Sequence, residues 1–361
     1  MIGFDARKYF DYGIGTYIQQ LIANLHGLQS PHRFIAYVSR DDAPRITMPQ
    51  EWKKIPVNYG KYSVDEILFL ARQANKDGVQ VFHEPHYTLP AGLASSSVVT
   101  IHDLIHIRFP RVHPFRKAYA LAMISHAVKH SSRVIVDSEF TKIDILKSFS
   151  VDERKIEVIY LGIGAEFKPL KAPKGMKDFR KRFHLDNPYI LFVGNAMPHK
   201  GLEHLLGAFA LLRHREMNLA IIGGRLSQSE SLAARAKALG ISDRIRELGR
   251  VSSEDLVLAY NEAEVFVLPS LYEGFGLPAI EAMACGTPVV SSDGGALPET
   301  VGDAAVVFHR GSEGELADSI DQVLRDSRLC RTLIAEGLRN VRRFSWKETA
   351  KRTLQVYERV L

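Results

Sequence analysis

Cysteine is nearly absent from this 361-residue chain: Cys285 and Cys330 are the only two, and they form no CxxC pair. That excludes a disulfide framework and a cysteine-built zinc site, and it fits a reducing compartment. The uncharged stretch 85–102 carries Pro90, Gly92, three serines and two histidines. A spanning helix needs about 20 mostly apolar residues, so this stretch does not span. The first residues, Met1-Ile2-Gly3-Phe4-Asp5, lack a basic segment followed by an apolar one, which argues against a secretory signal. A cytoplasmic location is the expectation. Asp-x-Asp, the carboxylate pair of metal-dependent transferases, is missing from end to end. Carboxylates are also missing from residues 104–136, where Arg108, Arg111, Arg116, Lys117, Lys129, Arg133 and four histidines stand. Such a patch suits phosphate or an anionic membrane surface, although the net charge of +6 is mild.

What is present reads as α/β. Hydrophobic residues are 46% and charged residues 24%, enough for two ordinary cores at this length. Short apolar runs alternate with amphipathic stretches, the pattern of parallel sheets. In the first half the runs are 2–5, 33–38, 79–83, 98–102, 133–137 and 156–159; in the second, 189–194, 219–223, 245–248, 265–269, 288–291 and 305–308. Helical patterns include 17–26, 64–75, 115–130 and 346–361, with Asp11-Tyr12-Gly13-Ile14-Gly15-Thr16 read as a loop before the first helix. Pro169, Pro173, Gly175 and Pro188 mark a linker. The expected division is a first domain 1–168, a linker 169–188, a second domain 189–345 and a helix 346–361 crossing back to the first. Two doubly wound halves facing a central cleft would bind ligand at the carboxyl ends of their strands.

One stretch carries most of the chemistry. Residues 268–289 read strand, glycine-punctuated loop, helix, strand. Pro278 suits a first helical turn, Gly274 and Gly276 let backbone approach a ligand, and the free N–H groups of the helix start attract an anion. Glu273 falls in the loop and Glu281 is read into the first helical turn, so both point toward one ligand.

That stretch resembles the signature of the retaining GT-B glycosyltransferases of family 4, whose two glutamates are separated by seven residues. Further segments match in the same order: Gly13-Ile14-Gly15, Val99-Thr100-Ile101-His102-Asp103, Val136-Asp137-Ser138-Glu139-Phe140, Leu191-Phe192-Val193-Gly194 with His199-Lys200-Gly201, and Leu248-Gly249-Arg250-Val251. The resemblance implies a GT-B fold and a nucleotide-sugar donor whose diphosphate leaves. It assigns catalytic roles to His102, Lys200 and Glu273. Lys200 would meet the β-phosphate, Glu281 the ribose, Glu273 the transferred sugar, and His102 the sugar from the first domain. Donor contacts would come from Gly13, Gly15, Gly194, Asn195, Lys200, Arg250, Val251, Glu273, Gly274, Phe275, Gly276, Leu277 and Glu281. Asn195 departs from the family, many of whose members carry arginine there; Arg225 is a candidate to compensate.

No carboxylate stands where a retaining hydrolase keeps its nucleophile, so the resemblance implies front-face displacement without a metal. It points to GDP-mannose as donor, with a UDP-hexose next, and to no tightly bound cofactor. The acceptor expected is a glycan or a lipid-linked molecule, with peripheral contact on the anionic inner face of the cell membrane and no nucleic acid. His83, His86, Asp103, Arg108, Arg116 and Lys117 are the acceptor-side candidates, and His83-Glu84-Pro85-His86 is read as cleft lining rather than a metal site. A Rossmann dehydrogenase is excluded because Ile18 stands where the third glycine belongs. A GT-B epimerase, a phosphorylase or an inactive scaffold are the rival readings.

Overall fold

Valine- and isoleucine-rich runs bounded by glycine and proline form strands buried on both faces, as parallel sheets require. The computed structural model describes residues 1–59, 64–109, 114–171 and 175–361, apart from the side chains of 64–68, 114–116 and 228. Pro110, Arg111, His113 and Pro173 lie outside the described residues, as do the side chains of Phe115 and Arg116. The chain divides into two compact units, Met1–Gly162 with Phe344–Leu361, and Ile163–Arg343.

In the first unit the strands are β1 (Ile2–Asp5), β2 (Phe34–Ser39), β3 (Lys53–Val57), β4 (Val81–Glu84), β5 (Ser96–Ile101), β6 (Arg133–Val136) and β7 (Ile156–Val158). They form one parallel sheet in the order β3-β2-β1-β4-β5-β6-β7. The order reverses between β1 and β4, which makes that pair the switch point. Ile35, Tyr37, Leu70 and Phe82 fill one core cluster; Val99, Ile101, Ile124 and Val134 belong to another. The last helix, Trp346–Glu358, packs on the first, Tyr12–Gly27. That first helix begins at Tyr12, so Gly13 and Gly15 occupy its first turn and not a loop. The sequence reading also missed β3, whose Lys-Lys-Ile-Pro-Val lacks an apolar run. As an edge strand paired only with β2, it has no need of one.

In the second unit β8 (Tyr189–Gly194), β9 (Asn218–Gly223), β10 (Ile245–Gly249), β11 (Val265–Leu268), β12 (Val289–Ser292) and β13 (Ala305–Phe308) follow the order β10-β9-β8-β11-β12-β13, again all parallel. The switch point lies between β8 and β11. Phe179 and Leu185 join the core of this unit, with Phe167, Leu170, Met176 and Phe183 against it. Among the described residues no helix is long and apolar enough to cross a membrane.

Candidate functional site

The second unit brings Lys200 and Glu273 together at its switch point. Lys200 ends a tight turn, Pro198–Lys200, after β8. Glu273 lies in the loop after β11. These two loops are pinned to each other: Leu271 N–H donates to the His199 carbonyl at 2.7 Å, and Gly201, at φ +69°, lies so close to Pro269 that a Cβ would stand 2.0 Å from its carbonyl oxygen. Only glycine meets both conditions. The loop after β12 fastens the other side. Ala296 N–H donates to the Glu273 carbonyl at 2.9 Å, and a Cβ on Gly295 would fall 2.2 Å from that oxygen.

Within this frame Lys200 Nζ donates to Glu273 Oε1 at 2.7 Å, and Ser270 Oγ donates to the same oxygen at 2.6 Å. Their side chains stay 20% and 12% exposed, so the pair is firm yet reachable by a ligand. Gly276, at φ +100°, opens the helix Leu277–Ala284, with Pro278 near its start. Glu281 is the fifth residue of that helix and stands in its second turn, one turn further on than the sequence suggested. Tyr260 O–H donates to its Oε2 at 2.8 Å. Burial pushes the Glu281 carboxyl up to about 7; the Tyr260 hydrogen bond opposes this and the Glu166 charge reinforces it.

The remaining predicted donor residues are more dispersed in their work. Gly194 pairs with Gly223 at the end of β8. Asn195 Oδ1 accepts the Met197 N–H at 3.2 Å, so its amide N–H groups are the part left to donate. Phe275 and Gly274 are buried, and the Phe275 carbonyl accepts from Thr300 Oγ1 at 2.6 Å. Leu277 is half-buried and Val251 packs against the core. Arg250 is exposed, and the exposed Arg225 lies over Gly249.

In the first unit, His102 follows β5 and Asp137 follows β6. Ile101 and Val136 are register partners, so the two next residues stand side by side. His102 Nδ1 and Asp137 Oδ2 are 2.6 Å apart, and His102 Nε2 lies 3.2 Å from the Pro85 carbonyl. Ser138 caps the following helix, accepting the Thr141 N–H at 3.1 Å.

The acceptor-side candidates have these surroundings. His83 does not line a surface: it is fully buried, with Nδ1 2.5 Å from Tyr357 O–H and Nε2 2.8 Å from Thr100 Oγ1. Packed among Phe4, Tyr17 and Tyr357, it is pushed down to about 3 by burial, with the nearby His102 charge adding. His86 is likewise interior, 5% exposed, its ring tilted against that of Tyr87. The cause is the last helix, which brings Tyr357 over the β4 end. Arg108 is committed to Asp144 and to Ser148 Oγ. Asp103 Oδ1 accepts the Ile105 N–H at 2.9 Å, opening the short helix Ile105–Arg108. Lys117 is exposed, and the Arg116 side chain lies outside the described residues. Gly13 is exposed, whereas Gly15 is buried against the Tyr9 carbonyl.

Comparison with known proteins agrees with this architecture. Residues 12–167 match Glycosyltransferase Family 4, and residues 175–339 match Glycosyl transferases group 1. O-antigen chain mannosyltransferase B of Escherichia coli is 31% identical over 77% of this chain and 74% of its own length. The chain belongs to the family 4 glycosyltransferases. Another member, the MMP alpha-(1->4)-mannosyltransferase of Mycolicibacterium hassiacum, is 36% identical over 60% of this chain and 52% of its own length. Among solved structures, sucrose-phosphate synthase from Thermosynechococcus elongatus superposes with a TM-score of 0.81 at 24% identity, covering 99% of this chain and 98% of that one. Two Rossmann-like units thus make this family 4 glycosyltransferase a GT-B protein.

Sequence reading gave no role to three groups that hold the glycosyltransferase's side chains in place: Asp137 on His102, Ser270 on Glu273, and the Gly294–Gly295 turn behind it. Asp137 had a usable signal, since two apolar runs each end in a titratable residue and adjacent parallel strands end together. Tyr260, which the resemblance groups with the base-binding region, instead reaches Glu281 from a different helix, Ser253–Glu262. Among the described residues of this glycosyltransferase, no three His, Cys, Asp or Glu side chains are gathered to hold a metal ion.

Proposed function

We propose that this glycosyltransferase moves mannose from GDP-mannose to a hydroxyl of a glycan or lipid-linked acceptor, with retention of configuration and without a metal. The observation that carries the reading is the Lys200–Glu273 pair at the second switch point, where a doubly wound sheet binds phosphate-bearing ligands. A donor diphosphate competes with the Glu273 carboxylate for Lys200, whose compact charge suits the β-phosphate. Glu273, relieved of the lysine and still steadied by Ser270, then accepts from hydroxyls of the transferred sugar. Glu281 takes the ribose, the helix start after Gly276 adds backbone donors, and His102 is assigned to the sugar. The acceptor oxygen bonds to the anomeric carbon as the bond to the departing phosphate breaks, and a phosphate oxygen takes the acceptor proton. Catalysis is then positioning and charge stabilisation.

The mannosyltransferase names of the relatives favour mannose, and a UDP-hexose is the next donor to try. For the acceptor, the helix Pro114–His130 offers exposed Lys117, Lys129 and Leu121, which suits a lipid-linked substrate at an anionic membrane face.

A panel of GDP-, UDP- and ADP-sugars offered to the purified chain tests the reading. GDP-mannose at a hundredfold excess over its Kd should stabilise the protein by about 2.7 kcal/mol. It should also yield an α-linked product unaffected by EDTA. Indifference to every nucleotide sugar, or a β-linked product, overturns it.

A further inference from the structure

We infer that Asp137 is a positioning residue that holds His102 in its doubly protonated form, so that His102 serves as a fixed cation and not as a proton-accepting base. The consequence for transfer rests on the function proposed above; the geometry does not. A neutral imidazole carries one N–H and one acceptor nitrogen. His102 presents both nitrogens to acceptors: Nδ1 to the Asp137 carboxylate at 2.6 Å, and Nε2 to the Pro85 carbonyl at 3.2 Å. Only the imidazolium donates to both. Asp137 is 2% exposed, so its charge is felt through little water.

The surroundings permit this. Asp103, next in the chain, adds a second carboxylate. The Tyr17 ring stands edge-on to the imidazole, centroids 4.9 Å apart, and its hydroxyl bonds to Thr100. His83, on β4, is neutral, held between Thr100 and Tyr357. His86 is also pushed down, by burial first and then by Lys8 and the neighbouring histidines, so it brings no competing charge near neutral pH. Burial by itself lowers His102 and raises Asp137. For His102 burial is the largest single influence, yet the charge and hydrogen bond of Asp137, the charge of Asp103 and the Pro85 hydrogen bond together outweigh it and leave the imidazole above its ordinary 6.5. The two share one proton closely, and the second acceptor at Pro85 decides for the ionic form.

A ring with no lone pair cannot take the acceptor's proton. As the new C–O bond forms and the phosphate leaves with its bonding pair, that proton must go to the phosphate oxygen. His102 instead ties the end of β5 to the turn after β4 through Pro85.

Nitrogen-15 NMR of the full chain labelled at histidine, with His102→Gln to assign the signal, tests this without any donor. Both His102 ring nitrogens should show the protonated shift at pH 7. Asp137→Asn should weaken proton affinity by about tenfold or more, the effect of losing a carboxylate at this distance, and Asp137→Glu should recover part of it. In activity, the wild type should hold steady as pH rises through neutrality, and Asp137→Asn should gain an alkaline fall that begins at lower pH than in the wild type. A neutral His102 at pH 7 in the wild type, a titration unmoved in Asp137→Asn, or wild-type kcat climbing through pH 6–7 would each overturn it. If Asp137→Asn does not fold, the wild-type spectrum decides. An inactive panel of nucleotide sugars would sink the donor assignment while leaving the spectra to stand or fall alone.

Discussion

Both units reverse their strand order at the same place, yet they fill that place differently. In the first, parallel pairing of β1 with β4 sets Phe4 beside His83, which brings Asp5 and Glu84 together at the strand ends. Two carboxylates there demand cations. Arg7 forks onto Asp5, Nε to Oδ1 at 2.9 Å and Nη2 to Oδ2 at 2.5 Å, and Lys8 Nζ lies 3.9 Å from Glu84. All four are at most 2% exposed. The second switch point instead keeps a single lysine and glutamate, partly exposed, on glycine-pinned loops. Topology supplies the crevice; side-chain chemistry decides whether it is sealed or left for a ligand. The first unit's reachable polar group is displaced one strand along, to His102 beside Asp137.

The sharpest way to break this contrast is Arg7→Met. It leaves Asp5 buried beside Glu84 without its fork, and removing one partner of such a pair typically costs about 3–5 kcal/mol. Hydrogen exchange resolved by unit should show the loss in the first unit. A change of less than about 1 kcal/mol would mean that the network is not the seal described. Lys200→Ala should do the reverse: a loss of about a hundredfold or more in turnover, equivalent to about 2.7–4 kcal/mol in the transition state, with little change in melting. Wild-type turnover in that variant would remove Lys200 from the chemistry.

Smaller, and opposite in sign between the units, is the response to pH. His83, pushed down to about 3 from an ordinary 6.5, stays neutral in the folded chain while the unfolded chain takes up a proton. Its share of first-unit stability is therefore lost as pH falls from 6.5 toward 3. Asp5, held well below its usual range by Arg7 despite burial, acts in the same direction below about pH 4. His102 adds no slope in that window, because its stabilisation is full below 6.5 and is lost only as pH rises through its raised value. Glu281, raised to about 7, does the opposite in the second unit, costing stability as pH climbs from 4.5 to about 7. Each slope reaches at most about 1.4 kcal/mol per pH unit. Melting curves across pH should flatten for the first unit in His83→Gln and for the second in Glu281→Gln; unchanged slopes would show that other groups govern the titration.

The same contrast explains what could be read in advance. Continuous apolar runs disclosed every strand except β3, whose lysines and proline are tolerated only because it is an edge. The loop carrying Glu273 and the turn carrying Lys200 were legible because their glycines and prolines are local backbone demands. Gly13 and Gly15 misled, since glycine at a helix start looks like a loop. The burial of His83 was not legible, because a histidine at a strand end gives no sign of the helix that covers it from more than 250 residues away.

The sequence alone determined where every strand but β3 lies and that the Lys200 and Glu273 segments turn, because alternation, chain stiffness and turn geometry act between near neighbours. Only the tertiary structure decided the charge state and partner of each polar group. Asp137 meets His102, Tyr357 meets His83 and Glu273 meets Lys200 across crossovers of tens to hundreds of residues. Burial and Coulomb forces answer to distance in space, not to distance along the chain.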